Sequence, residues 1–469
     1  KADLFDAGTV YVVLDNHKFG DFEPYIFKST DLGRTWSSLR ANLPGRNLLW
    51  RVVQDHVKSD LMFLAAEFGI WFTPDGGKSW TQLKGGLPVI SFRDLAIQKR
   101  ENDLVAASFG RGIFILDDYS PLRQINSQLL EKPAAILNTR PALWYIPRRV
   151  LGSDRKASMG DAYYVADNPP FGAVFTYYLK DDILSAQQTR QRAEKAALKD
   201  EKDIPFPGWE AVEAERRSAE PLVWLVITNA EGQFVNRVKG NSTKGLHRTA
   251  WDLGLPSKTA MRAEQGDWEP RGPMAAPGKY YVSLYRQQDG LFEMLAGPEP
   301  FEVVPLDLNS LKGASPDVVV AFWQEVEEVQ KSITAGNTLL QNLISKANLM
   351  ERALTRTAMQ PAGLLLQIHR LKQELFILDE QMNGNRSKNQ IGEDSPPTPG
   401  SRLNFAAMGS ANSTYGPTPS QRQQLDLAKS AFAPIRQRLE EIRTKDVPAI
   451  EAALQQAGAP WFEGMNLPE

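Results

Sequence analysis

The residues best suited to chemistry in this sequence are arginines and carboxylates between positions 51 and 111. They are Arg51, Asp55, Glu67, Arg93, Asp94 and Arg111. Two carboxyl groups about 5–9 Å apart across a cleft could hydrolyse a glycosidic bond, and guanidinium groups bind carboxylates as a bidentate fork. No spacing in the sequence fixes such a carboxylate pair. Arg111, Arg93 and Glu67 are the candidate ligand-binding residues.

Arg111 is the strongest of these candidates because a glycine stands on either side of it. Glycine permits a sharp loop that would expose the guanidinium on one face of the fold. The alternative is an ordinary loop arginine paired with Asp117 or Asp118, a contact of small energetic value. The sequence leaves both interpretations open.

The sequence does not contain the residue patterns of the other common catalytic, metal-binding and nucleotide-binding sites. The four histidines are scattered, at positions 17, 56, 247 and 369, and none forms a zinc motif with another. The absence of cysteine excludes a disulfide framework, a thiolate metal site and a cysteine nucleophile. No serine-hydrolase or nucleotide-binding motif occurs. The sequence therefore predicts no metal site and no cofactor, and the catalytic residues of any enzyme stay unknown.

Charge and hydropathy narrow the range of partners. The 469 residues include 54 Lys+Arg and 56 Asp+Glu, a net charge of −2. This balance provides no field for nucleic acid. No run of 18 apolar residues occurs, so we expect no transmembrane segment. The length favours about three domains.

The first part of the chain is repetitive. Residues 29–36 and 73–80 both fit [S/T]-x-D-x-G-x-[S/T]-W, with their aspartates 44 positions apart. The matching residues are Ser29, Asp31, Gly33, Thr35 and Trp36 in the first copy, and Thr73, Asp75, Gly77, Ser79 and Trp80 in the second. Residues 61–72 align with 104–115, so that Gly69 and Asp75 correspond to Gly112 and Asp118, a period of 43; this third copy lacks the motif's glycine and tryptophan. A period in the forties with short β-rich runs is typical of propeller blades.

The motif resembles the Asp-box, or BNR, repeat of sialidases, sortilin-type receptors and some glycanases. The run from Phe109 to Asp118, and segments at 168–173, 245–252 and 276–284, resemble large secreted bacterial proteins of the sortilin-like or BNR-repeat "glycosyl hydrolase" type. The resemblance implies a partial β-propeller in which the Asp-box residues are structural, and an immunoglobulin-like β-sandwich. It also implies a secreted, periplasmic or cell-surface location.

The expected fold is mainly β plus α, in three parts. Residues 1–122 form the C-terminal blades of the propeller. Residues 123–307 form the β-sandwich, with a charged helical insertion near 185–220. Residues 308–469 form a helical bundle, since apolar residues recur at 3–4 spacing from Pro316 onward, with a mobile loop near 385–420.

Because propellers close with four to eight blades, the chain is expected to begin in the middle of one. The missing blades would come from an N-terminal segment of the same precursor or from a separate chain, and a secretion signal would lie there.

Two functions remain open. The first is a non-catalytic interaction or scaffold protein whose propeller binds a protein, peptide or glycan. The alternative is a sialidase- or glycanase-like glycoside hydrolase whose active site is shared with the missing blades.

Overall fold

The computed structural model describes residues 1–147, 166, 168–261, 270–306, 311–357 and 362–465. They form two compact units. The first takes described residues of Lys1–Ala142, Lys156–Trp251 and Lys279–Glu302, and the second takes those of Leu143–Arg155, Asp252–Gly278 and Val303–Glu469. The chain is thus a mixed β and α protein with a C-terminal helical region, as the sequence predicts. The predicted boundary at residue 122 falls inside the first unit.

The N-terminal part of the first unit contains three antiparallel sheets, here called A, B and C. Sheet A consists of β1 (Val10–Asn16), β2 (Asp21–Ser29) and β3 (Ser37–Ser38). Sheet B consists of β4 (Leu49–Gln54), β5 (Met62–Ala66), β6 (Gly69–Thr73) and β7 (Thr81–Gln82). Sheet C consists of β8 (Phe92–Gln98), β9 (Asp103–Ser108) and β10 (Ile113–Leu116). Single 3-10 turns lie at His17–Phe19 and Ser120–Gln124.

Alternating apolar residues bind these sheets to one another. One buried cluster joins sheets A and B and contains Ile26, Val52 and Trp80. A second cluster joins sheets B and C and contains Phe63 and Phe92. Since side chains alternate across each strand, the central sheet B buries both of its faces.

The following elements continue the chain to residue 305. They are α1 (Ser127–Glu131), β11 (Ala134–Ile136), β12 (Ala142–Trp144), β13 (Ala173–Leu179), α2 (Ala186–Lys199), α3 (Trp209–Arg217), β14 (Leu222–Asn229), β15 (Phe234–Gly240), β16 (Gly245–Trp251), β17 (Gly254–Pro256), β18 (Arg271–Met274), β19 (Gly278–Gln288) and β20 (Leu291–Pro305). One sheet has the order β11–β13–β16 and another β12–β20–β19–β14–β15. Phe175 contacts Phe301, and Trp251 contacts Tyr280, so aromatic side chains fill the space between these two sheets.

The second unit is dominated by helices. They are α4 (Pro316–Leu354), α5 (Ala362–Asn383), α6 (Arg386–Gln390), α7 (Pro399–Ala411), α8 (Pro419–Glu441) and α9 (Val447–Gln456), with a π-helical turn at Ile442–Asp446. Leucine, isoleucine and methionine side chains of α4, α5, α8 and α9 share one buried core. The helix α8 continues through Pro434.

The segment near 385–420 is not the mobile loop predicted from its composition, because α6 and α7 occupy much of it. Thr398 caps α7 by accepting the N–H of Ser401, and Pro399 takes the first turn, where its missing N–H costs nothing. Leu403 is buried on this helix. The cap of α8 is likewise a threonine, Thr418, which forms a capping box with Gln421.

Candidate functional site

The two copies of the repeated motif form the same hydrogen-bonded turn. Asp31 Oδ1 accepts the backbone N–H of Thr35 at 2.9 Å and Oδ2 accepts its hydroxyl at 2.6 Å, while Ser29 Oγ donates to the same carboxylate. These bonds, led by the Thr35 hydroxyl, lower the pKa of Asp31 to about 2. Asp75 repeats the arrangement with Ser79. The motif's polar groups bond one another, which leaves them little capacity for a ligand.

The motif tryptophans differ in burial. Trp80 is 2% exposed and its Nε1 donates to Leu39 O at 2.9 Å. Trp36 is 45% exposed, and its Nε1 donates within its own turn, to Gly33 O. Trp80 lies between sheets A and B, whereas no described sheet covers Trp36 on the other side of sheet A.

The candidate ligand-binding residues lie at the ends of the sheets that are opposite to these turns. In sheet B the repeated motif follows the C-terminal end of β6. Glu67 lies in the tight connection between β5 and β6, at the other end of the same antiparallel hairpin. The start of β4 lies at this end too, because Leu49 pairs with Ala66. Trp50 and Glu67 are therefore neighbours at one end of the sheet.

Five side chains form a cluster at this end, which we call the Trp50–Arg93 cluster. They are Trp50, Glu67, Ser91, Arg93 and Phe109. The Arg93 guanidinium lies 3.6 Å from the centre of the Trp50 ring and 5.0 Å from that of Phe109. Such placement over aromatic faces is a cation–π contact. Glu67 Oε2 accepts Trp50 Nε1 at 3.1 Å and Ser91 Oγ at 2.9 Å, and lies 3.8 Å from Arg93. The structure thus brings together two of the three predicted residues.

β-Bulges aim the two stacked side chains. The register of β4 against β5 shifts between Leu49 and Arg51, where Trp50 lies. The register of β8 against β9 shifts in the same way between Phe92 and Asp94, where Arg93 lies. A bulge re-aims a side chain and interrupts the inward–outward alternation of the strand. This local irregularity could not be deduced from the alternation of residues.

Arg111 lies apart from the contacts of this cluster. It is exposed in the β9–β10 connection between Gly110 and Gly112, which both have left-handed backbone φ angles of 77° and 80°. Within the described part of the chain its guanidinium makes no ion pair. The backbone carbonyls of Asp117 and Asp118 accept instead from Arg248, so the predicted alternative partners of Arg111 belong to another arginine.

The remaining charged candidates have partners of their own. Arg51 Nε lies 3.2 Å from Asp94 Oδ1, and both side chains are exposed. Asp55 is 0% exposed, and its carboxylate accepts two bonds from Arg123, at 2.8 and 2.9 Å, and one from Tyr119 at 2.7 Å. Burial acts to raise the pKa of Asp55, but the bonds from Arg123 and Tyr119 outweigh it and lower that pKa to about 2. Asp55 therefore anchors the Ser120–Gln124 turn to sheet B.

Arg123 and Tyr119 were not among the residues that the sequence singled out. Arg123 is separated from Asp55 by 68 positions, and no motif links them. The one available signal was an arginine among apolar neighbours, in the run Pro-Leu-Arg-Gln-Ile from Pro121 to Ile125.

The described residues contain no group of three or more His, Cys, Asp or Glu side chains able to hold a metal ion. Nor do they contain a helix both long and apolar enough to cross a bilayer.

No protein-family model matches the chain, and no curated protein matches it. Among solved structures, the GH74 xyloglucanase from Xanthomonas campestris is 11% identical, with a TM-score of 0.20, over 62% of this chain and 36% of its own. An ancestral GH74 enzyme is 12% identical, with a TM-score of 0.21, over 61% of this chain and 40% of its own.

A third similar structure is the extracellular domain of a proposed one-component system from B. thetaiotaomicron. It is 10% identical, with a TM-score of 0.17, over 64% of this chain and 31% of its own. The chain spans only 31–40% of the length of these three structures.

Proposed function

We propose that this chain is a non-catalytic interaction protein, secreted or exposed at a bacterial cell surface, whose β-propeller blades bind a protein, peptide or glycan. In this proposal sheets A, B and C are three successive blades, of which A and B carry the Asp-box. The two sheets that contain β13 and β19 are an immunoglobulin-like sandwich that serves as a scaffold, and the helices of the second unit are a docking platform.

The outer faces of the three-sheet stack support the propeller proposal. On sheet C, Ile113 and Ile115 are 64% and 58% exposed. On sheet A, Leu14 is exposed, and Tyr25 and Phe27, on the same face, stack on each other. Neighbouring apolar side chains left exposed on one face of a sheet are typical of an interaction site. Further blades on both sides would bury it.

The observation that carries the binding proposal is the Arg93 guanidinium held 3.6 Å above the Trp50 ring. Arginine and tryptophan are the residue types that contribute most to binding energy at protein interfaces. Here they are held in place by bulges and by Glu67, at the end of the sheets that the Asp-box turns leave free. A site built on rigid strands loses little entropy when a ligand binds.

The carboxylates of this region favour binding over hydrolysis. Glu67 is engaged by Trp50, Ser91 and Arg93, and Asp94 is paired with Arg51. A glycosidase needs one carboxyl group free to protonate the leaving oxygen and another free to attack or to activate water. In the described residues these two carboxylates are instead committed to neighbouring side chains.

A binding screen with two variants tests this function. The protein is applied to a glycan array and to a combinatorial peptide library, and each ligand found is titrated against wild type, Trp50→Ala and Arg93→Ala. We expect both substitutions to weaken binding by about 30-fold or more, the loss typical of a hot-spot residue. The matched control is Arg100→Ala, an exposed arginine between β8 and β9 at the opposite end of sheet C, which should bind as wild type does.

Two outcomes contradict the proposal. Binding unchanged in both variants would show that the Trp50–Arg93 cluster is not the site. Turnover of a polysaccharide that Glu67→Gln abolishes would instead establish the glycoside hydrolase alternative.

A further inference from the structure

An apolar pocket lies between sheets B and C, beside the edge strand β10. Its volume is about 240 Å³. Its walls include Ile70, Leu83 and Leu87 from sheet B and its following turn, and Phe114 and Leu116 from β10. The pocket is independent of the Trp50–Arg93 cluster, since it shares no residue with it.

The repeat shows what such a pocket accommodates. Ile70, Leu83 and Leu87 stand 44 positions after Ile26, Leu39 and Leu43. That earlier set belongs to the apolar cluster that buries Trp80 between sheets A and B. Leu39 also supplies the carbonyl that accepts Trp80 Nε1. The pocket between sheets B and C therefore corresponds to the site that holds Trp80 between sheets A and B. No tryptophan of the described residues occupies it.

The neighbouring sheet edge also has room for a strand. In sheet B, β7 pairs with β6, with Trp71 opposite Gln82 and Phe72 opposite Thr81. In the described part of sheet C, the order ends at β10. Ser108 N–H donates to Gly112 O, so Gly112 forms a bonded pair with β9. Because bonded and non-bonded pairs alternate in antiparallel sheets, the backbone groups of Ile113 and Ile115 point away from β9.

The corresponding backbone groups of sheet B are the ones that hold its fourth strand. Ile70 O, 43 positions before Ile113, accepts Leu83 N–H at 2.8 Å. Exposed strand edges of this kind accept a further strand through main-chain bonds, and pockets alongside them select its side chains.

We propose that β10 binds a strand donated by a partner polypeptide, antiparallel to it and of the Asp-box type [S/T]-W-x-x-L, whose tryptophan fills the pocket. The main-chain groups of Ile113 and Ile115 hold the strand, and Leu83 O accepts the indole N–H. Asn42, whose amide clamps the backbone of Trp80 at 2.7 and 2.9 Å, corresponds to Gly86. Since Gly86 has no side chain to make these bonds, the donated strand is held only by main-chain hydrogen bonds to β10 and by its tryptophan.

A register-specific disulfide tests this proposal, and the lack of cysteine in the chain makes the test clean. The protein variant is Ile115→Cys. The probes are synthetic peptides of residues 73–84, which contain the natural fourth strand of sheet B, with cysteine at either position 81 or position 82. Phe72 lies opposite Thr81 and corresponds to Ile115. The Thr81→Cys peptide should therefore react at least about tenfold faster than the Gln82→Cys peptide, whose thiol projects from the other face.

The tryptophan is tested in the peptide, where no folding of the protein is at stake. Adding Trp80→Ala to the Thr81→Cys peptide should slow disulfide formation about tenfold or more, because a buried aromatic anchor is lost. In the protein, Leu87→Lys places a charge in the pocket and should give the same loss, with thermal unfolding measured to show that the variant is folded. Equal rates for the two cysteine positions, or equal rates with and without the tryptophan, would overturn the proposal.

Discussion

Arg93 and Trp50 occupy the same position in successive repeats, 43 residues apart, and they stack on each other. Each lies at a β-bulge in the first strand of its sheet, Trp50 in β4 and Arg93 in β8. The Arg93 guanidinium lies 3.6 Å from the centre of the Trp50 ring. The neighbouring positions repeat the relationship, since Arg51 and Asp94 are also 43 residues apart and form an ion pair. Each of two adjacent repeat positions therefore supplies both partners of one contact between sheets B and C.

A double-mutant cycle should measure the coupling between these two side chains. We expect Trp50→Leu and Arg93→Met, singly and together, to give a coupling energy of about 0.5–2 kcal/mol in the free energy of unfolding, the range of a partly desolvated cation–π pair. Urea denaturation of the four proteins provides the measurement. Additive effects of the two substitutions would mean that the stack contributes nothing.

The Arg51–Asp94 pair is the control for this cycle, because it joins the same strands at the adjacent positions. Both of its side chains are exposed, and exposed ion pairs contribute about 0–1 kcal/mol. We expect the Arg51→Met, Asp94→Asn cycle to give the smaller coupling, and to lose it at high salt.

The two motif tryptophans should differ sharply in their effect on stability. Trp80→Ala removes a side chain that is 2% exposed and leaves a cavity between sheets A and B, so we expect it to cost about 3–5 kcal/mol. Trp36→Ala removes one that is 45% exposed and should cost less than about 1 kcal/mol. Urea denaturation of both variants decides the matter. Equal costs would show that motif identity, rather than burial, sets the contribution.

Tyr177 should stabilise the first unit through one buried hydroxyl. Its OH donates to Asn241 O at 2.8 Å and accepts the Asn241 N–H, and the side chain is fully buried. Tyr177→Phe leaves both backbone groups without this partner, at an expected cost of about 1–3 kcal/mol in the free energy of unfolding. Tyr178→Phe is the control, since its OH bonds Leu130 O in an exposed setting. Thermal unfolding that ranks the two variants equally would contradict this assignment.

The sequence predicted the local structure of the repeats better than their mutual contacts. The turn at Asp31 follows from residue types within eight positions, and such short-range hydrogen bonding is legible in a motif. Arg93 and Glu67 were recognised as candidates, but Trp50 was not, because a bulge decides where its side chain points. Phe109 was not recognised either, because its contact with Arg93 forms between two segments that no motif links. The Asp55–Arg123 pair escaped notice since nothing in a spacing of 68 positions marks it.

Composition was a poor guide near residues 385–420. Serine, proline and glycine are common there and suggested a loop, yet Thr398 followed by Pro399 is a helix-start signal. The helix α7 then buries Leu403 and Ala406, and this tertiary burial outweighs the weak local propensity.

Asp55 should make stability depend on acid pH. Its folded pKa is about 2, below the value of about 3.9 in an unfolded chain, so the stabilisation is fully present above about pH 4 and is lost as the pH falls to about 2. Asp55→Asn leaves Arg123 without its anion and should cost about 3–5 kcal/mol at neutral pH. Urea denaturation of wild type and variant at several pH values between 2 and 7 should show this difference shrinking below about pH 4. A difference that stays constant across that range would show that the carboxylate charge of Asp55 is not what stabilises the turn that follows β10.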